Sequence, residues 1–208
     1  MNYDLLYTFI IATAALAITP GPDIIYVLMQ SVINGRKDGI ATAFGLVSGC
    51  LIHTTLLAFG VSALIKENIL ILTCIKVFGA LYLFYLAYKV FKSSGQIDLK
   101  SDAIPKKNIV SLFRQGFIMN VLNPKVTIFF LAFFPGFLFS DDISVQFQFY
   151  ILGFIFILIS FIVFVIIAIL SGMVSKYIKS NKKVGFILKW MQIVVFIGIG
   201  VYLLFLNK

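Results

Sequence analysis

The chain has 208 residues, of which 61% are hydrophobic and only 12% charged, and its mean hydropathy is +1.07. A water-soluble domain of that size needs far more polar surface, so lipid must be the solvent for most of the chain. Its net charge of +9 falls in short loops between apolar runs. Membrane topology and anionic headgroups account for the charge there, without a nucleic-acid partner.

In chain order, Met1 to Tyr7 holds Asp4 and no Lys or Arg. It lacks the positive region of a cleaved signal, and the first apolar run is expected to remain in the mature protein. A bilayer core about 30 Å thick takes about 20 helical residues to cross. Six runs qualify: about 5–32, 39–65, 69–91, 115–139, 146–174 and 186–206. The first is interrupted by Thr19-Pro20-Gly21-Pro22-Asp23 and the fourth by Asn123-Pro124-Lys125. Each interruption opens with a residue able to cap a helix, Thr19 or Asn123, followed at once by proline. Proline suits a first helical position, where its missing N–H forfeits no bond, and disrupts a helix interior. Helices are therefore expected to restart at Pro20 and Pro124, at membrane depth.

Lys and Arg collect on one side. The loops after the first, third and fifth runs carry Arg36 and Lys37; Lys89, Lys92, Lys100, Lys106, Lys107 and Arg114; and Lys176, Lys179, Lys182, Lys183 and Lys189. The opposite side has Lys66, Lys208 and the acidic pair Asp141-Asp142. This bias places both termini outside and the basic loops in the cytoplasm. The Ser/Gly/Pro-containing stretch of about 92–113 reads as a cytoplasmic linker between halves of three spans each, about 1–91 and 114–208. Because three is odd, the halves enter the membrane from opposite sides. The expected fold is an all-α integral membrane protein of six transmembrane helices in one domain, 1–208. It is an inverted 3+3 repeat with broken first and fourth helices.

In that geometry two helix N-termini, each partly positive, approach the midplane from opposite sides and suit a carboxylate. Asp23 and Lys125 each cost about 3 kcal/mol or more at the bilayer centre and need a partner or water. They are candidates to pair with each other, across a depth offset of roughly 6 Å at 1.5 Å per residue. Packing kinks at the prolines, and an interfacial place for Asp23, are the plainer alternatives. His53, midway along the second run, is either a packing residue or a proton relay. Asn120, Asn123 and Thr127 share one helix face, open to a solute or to a neighbouring helix. Gly45 and Gly49 form a GxxxG step for close packing within the fold, with a homodimer contact as the alternative. Lys76 is expected to snorkel near its helix end, and Cys50 and Cys74 to be buried free thiols. No nucleophile–base or metal constellation is evident, and neither a catalytic role nor a cofactor is expected.

Taken together, these residues closely resemble the lysine-exporter family of small bacterial efflux carriers, including its homoserine/threonine branch. The resemblance lies in Thr19-Pro20-Gly21-Pro22-Asp23, Asn34-Gly35-Arg36-Lys37-Asp38-Gly39 and Gly79-Ala80-Leu81-Tyr82-Leu83. It continues through Phe113-Arg114-Gln115-Gly116-Phe117, Asn123-Pro124-Lys125 and Phe133-Phe134-Pro135, so it covers residues 8–140. It implies six helices, an inverted repeat and export of amino acids or related solutes driven by the proton gradient. The expected function is a secondary efflux carrier for a small amino acid in the bacterial inner membrane, working by proton antiport. A divalent heavy-metal exporter of the same fold and a channel are the alternatives. The expected substrate contacts are Thr19, Pro20, Gly21, Pro22 and Asp23 from the first break, and Asn120, Asn123, Pro124 and Lys125 from the second. Asp23 and His53 are the candidates for coupling to protons.

Overall fold

The computed structural model describes residues 2–19, 21–63, 69–93, 107–180 and 183–205. Pro20 and residues 94–106 of the expected linker fall outside them. Among the described residues nine α-helices follow one another: α1 (Tyr3–Ile18), α2 (Pro22–Ile33), α3 (Arg36–Leu56), α4 (Ile69–Lys92), α5 (Ile109–Val121), α6 (Pro124–Phe133), α7 (Val145–Ile169), α8 (Ser171–Ser180) and α9 (Lys183–Phe205). A π-helical turn, Leu57–Val61, prolongs α3, and a 3₁₀ turn, Phe134–Phe137, prolongs α6. By length and apolar character α3, α4, α7 and α9 can each cross a membrane. The pairs α1/α2 and α5/α6 are each bent by 56° at a short break, which makes six spans if each pair counts as one. The all-α membrane fold with broken first and fourth spans is thus observed.

Local chemistry sets the helix boundaries. Side chains of Asn2, Asn108, Asn123 and Ser144 accept backbone N–H groups at the starts of α1, α5, α6 and α7. In lipid an unmet N–H costs several kcal/mol, roughly, so a cap at depth matters more than one in water. Three boundaries differ from the expectation. Thr19 closes α1 rather than opening α2, because its Oγ1 bonds back to the Ala15 carbonyl at 2.7 Å. Helix α2 then starts at Pro22, with Gly21 as an N-cap that lends no side chain. The fourth span begins at Ile109 rather than 115, under the Asn108 cap. The fifth ends at Ile169, and Lys176 and Lys179 beyond it lie on a separate helix, α8, which buries Ser171 and Ser175 and packs against α2.

Helix α3 is central, packed against α2, α5 and α7, while α4 lies along α9 and α6, and α1 along α7. The Gly45/Gly49 step serves this packing. A side chain on Gly45 would strike the Phe113 backbone of α5, and one on Gly49 would meet the Asn120 side chain at 2.7–3.0 Å. Lys76 does not snorkel: it is 7% exposed, because α6 comes close against α4 one turn away, at Gly79 and Ala132. Cys50 is buried as expected, but Cys74 is exposed.

The end of the bundle carrying Asp141 and Asp142 is filled by phenylalanine. Phe9, Phe130, Phe133, Phe134 and Phe137 are fully buried. Phe130 stacks on Phe134 at 4.2 Å, Phe133 approaches Phe137 at 4.4 Å, and Phe9 meets Phe134 edge-on at 5.2 Å. Helices already surrounded by lipid gain from ring geometry and tight packing rather than from leaving water. Buried Gln148 clamps the loop over this plug. Its Oε1 accepts from Phe139 N and Ser140 N, and its Nε2 donates to the Ser140 and Ile143 carbonyls. Inward of the plug, toward the end carrying Lys89, Lys92 and Lys107, the packing opens into a cavity.

Candidate functional site

The cavity lies where α2 and α6 begin. From the first break it is lined by Thr19, Gly21, Pro22 and Asp23, and from the second by Asn120, Asn123 and Lys125. Seven of the nine expected contact residues therefore share one space. Of the other two, Pro124 stands behind it at the first position of α6, and Pro20 is outside the described residues. The two helix starts do meet: a Cβ on Gly21 would stand 3.6 Å from Lys125 Nζ.

Lys125 Nζ lies 4.9 Å from the centroid of the Phe196 ring on α9, a cation–π contact that holds the charge without neutralising it. Asp23 and Lys125 are within charge–charge range of each other. Asn123 fixes the second break. Its Oδ1 accepts from Lys125 N at 3.0 Å, capping α6. Each helix start adds roughly half a positive charge. The cavity thus presents positive potential from α2, α6 and Lys125, with one carboxylate beside it.

His53 does not line the cavity. It sits behind Asn120, with Nε2 3.2 Å from the Asn120 carbonyl. A carbonyl only accepts, so Nε2 carries the proton and Nδ1 the lone pair. Nδ1 is buried and has no hydrogen-bond partner among the described residues. The Asn120 carbonyl also accepts from Asn123 N at 3.0 Å, so His53 steadies the turn between α5 and α6.

Several lining residues were not picked out from the sequence. Cys50 reaches Asn120 Oδ1 at 3.6 Å, and Ser160, Phe156 and Phe164 of α7 complete one wall. A signal for Ser160 existed: it is the lone small hydroxyl inside an apolar run. The phenylalanines carried none, being a few among 23 in the chain.

A lipid-embedded helical bundle whose two broken spans meet at a charged internal cavity has the architecture of a small-solute translocator. Comparison with known proteins agrees, since residues 14–207 match the family model described as LysE type translocator. The chain belongs to that family. It is 27% identical over 183 residues to the homoserine/homoserine lactone efflux protein of Salmonella typhimurium, covering 88% of each chain, and equally to that of Salmonella typhi. It is also 28% identical over 204 residues to the uncharacterized membrane protein YrhP of Bacillus subtilis, covering 94% of this chain and 96% of that one. No solved structure matches it.

Proposed function

We propose that the protein is a secondary carrier that exports a small neutral amino acid or a close derivative across the bacterial inner membrane in exchange for protons. The observation that carries this reading is the single cavity in which Lys125, Asp23 and the starts of α2 and α6 come together. Lys125 and the two helix starts hold the substrate carboxylate. Asp23 meets the ammonium group and takes up the exchanged proton when the site is empty. One acid and one base suit a zwitterion better than a lone cation or a dianion, because each substrate charge finds an opposite. The names of the Salmonella relatives agree with a substrate of this kind.

The positive-residue bias supports placing the basic end in the cytoplasm and both termini outside. In that orientation the cavity lies on the cytoplasmic side of the phenylalanine plug, as an exporter loading from within requires. The matching 56° breaks support an inverted repeat that pairs α1/α2 with α5/α6, α3 with α7, and α4 with α9. Within one domain, the two halves rock about the cavity to open each side in turn. The metal-exporter alternative is weaker, because a divalent cation in the cavity would find Asp23 and Cys50 beside a repelling ammonium. A channel would need a continuous polar lining, which the stacked rings at one end interrupt.

Reconstitution tests this reading. Proteoliposomes given labelled amino acids should show saturable flux that rises with an opposing proton gradient. Flux without saturation would indicate a channel, and no amino-acid flux at all would remove the proposal.

A further inference from the structure

Helix α7 is the most apolar of the spans, with a mean hydropathy of 3.3, yet it carries Ser160 at mid-length. Phe156, Ser160 and Phe164 follow at four-residue spacing, and all three face the cavity. Ser160 is 3% exposed. A serine inside a helix commonly bonds back to the carbonyl four residues earlier, and Ser31, Ser48 and Ser62 do so here. Ser160 does not: among the described residues its hydroxyl has no hydrogen-bond partner in the protein. Several other polar atoms of the wall are engaged within the protein. Thr19 Oγ1 donates to the Ala15 carbonyl, Asn120 Oδ1 accepts from Cys50, and Asn123 Oδ1 caps α6. A hydroxyl that opens onto a cavity at membrane depth is available to whatever the cavity holds.

We propose that Ser160 is a specificity-determining residue that reads the side chain of the transported amino acid. Its hydroxyl meets one hydrogen-bonding oxygen on a short, uncharged side chain, while Phe156 and Phe164 enclose the intervening methylene groups. The inference rests on the reading above, in which Lys125 and Asp23 are taken by the carboxylate and ammonium groups. Those two are the charged residues of the wall among the described residues, so a basic or acidic side chain would bring a charge with no counterpart. The substrate class is then neutral hydroxy amino acids and derivatives that keep an oxygen at that place, with basic and acidic amino acids excluded.

Homoserine and norvaline provide the test, because they share a shape and differ by a terminal hydroxyl in place of a methyl. In proteoliposomes the wild-type protein should prefer homoserine by about 5- to 10-fold in transport efficiency, the worth of roughly one hydrogen bond. Lysine should not be carried. In Ser160→Ala the ratio should fall to about one, and in Ser160→Thr, which keeps the hydroxyl, the preference should persist. An unchanged ratio in Ser160→Ala, no preference in the wild type, or efficient lysine export would each overturn the assignment while leaving the carrier intact. If the wild type moves no amino acid, both the carrier reading and this inference fall. If the alanine variant does not fold, Ser160→Cys, which keeps the size and has a much weaker donor, is read in its place, and an undiminished ratio there overturns the assignment.

Discussion

Replacing Lys125 with methionine removes one charge from the cavity and little else. The unbranched stem keeps its place along α6 and beside Phe196, and the Asn123 cap is untouched because it bonds the backbone of residue 125. What disappears is a charge-assisted hydrogen bond to the substrate carboxylate, worth about 1.5–3 kcal/mol. At about 1.4 kcal/mol per decade this weakens apparent affinity roughly 10- to 150-fold. The starts of α2 and α6 remain, and each contributes about 0.3–1 kcal/mol toward an anion, so binding is reduced rather than erased. Lys125→Arg should fall between the wild type and Lys125→Met, since its charge is kept but its wide planar head does not reproduce a compact ammonium. The assay is concentration-dependent flux of labelled homoserine in proteoliposomes, with the amount of inserted protein measured in parallel. A Lys125→Met protein that inserts normally and keeps its half-saturation concentration within twofold would refute the role given to the ammonium.

Two further outcomes follow from other parts of the structure. Asp23→Asn keeps the size and much of the hydrogen bonding of the acid but cannot exchange a proton. It should retain exchange of labelled for unlabelled substrate while losing acceleration by a proton gradient; undiminished acceleration would move coupling elsewhere, with His53 the next candidate. Gln148→Ala strips partners from four backbone groups around Phe139 and Ile143. Even with partial compensation by water, it should lower stability by about 2–4 kcal/mol, seen as a reduced thermal midpoint in detergent.

The fold was more legible than the interior of the site. Long uncharged runs fix the number of spans, and two proline-containing interruptions in otherwise apolar sequence announce the breaks whatever the tertiary packing. The Asn123–Pro124–Lys125 restart could be read directly, because asparagine at that place has one strong use, capping the chain ahead of a first-position proline. The first break was harder. With Thr19-Pro20-Gly21-Pro22 two registers are chemically reasonable, and the choice turns on whether the threonine hydroxyl looks forward or back. It looks back, to Ala15. Lys76 was misjudged for a related reason. Its distance from the helix end is a sequence property, but its burial depends on α6 lying against α4. The contributions of Cys50, Ser160 and Phe196 to the cavity come from facing helices far apart in the chain, and no local pattern encodes which helices face each other.

The most direct measurement of where the solute sits uses Cys50, the thiol that lines the cavity. In a Cys74→Ser background a small membrane-permeant maleimide reports Cys50 alone, and its labelling rate is followed with and without homoserine. The account predicts that homoserine slows labelling in this background, and that about 10- to 150-fold more homoserine is needed for the same effect once Lys125→Met is added. A labelling rate indifferent to homoserine, in protein that transports it, would contradict a cavity built from the starts of α2 and α6.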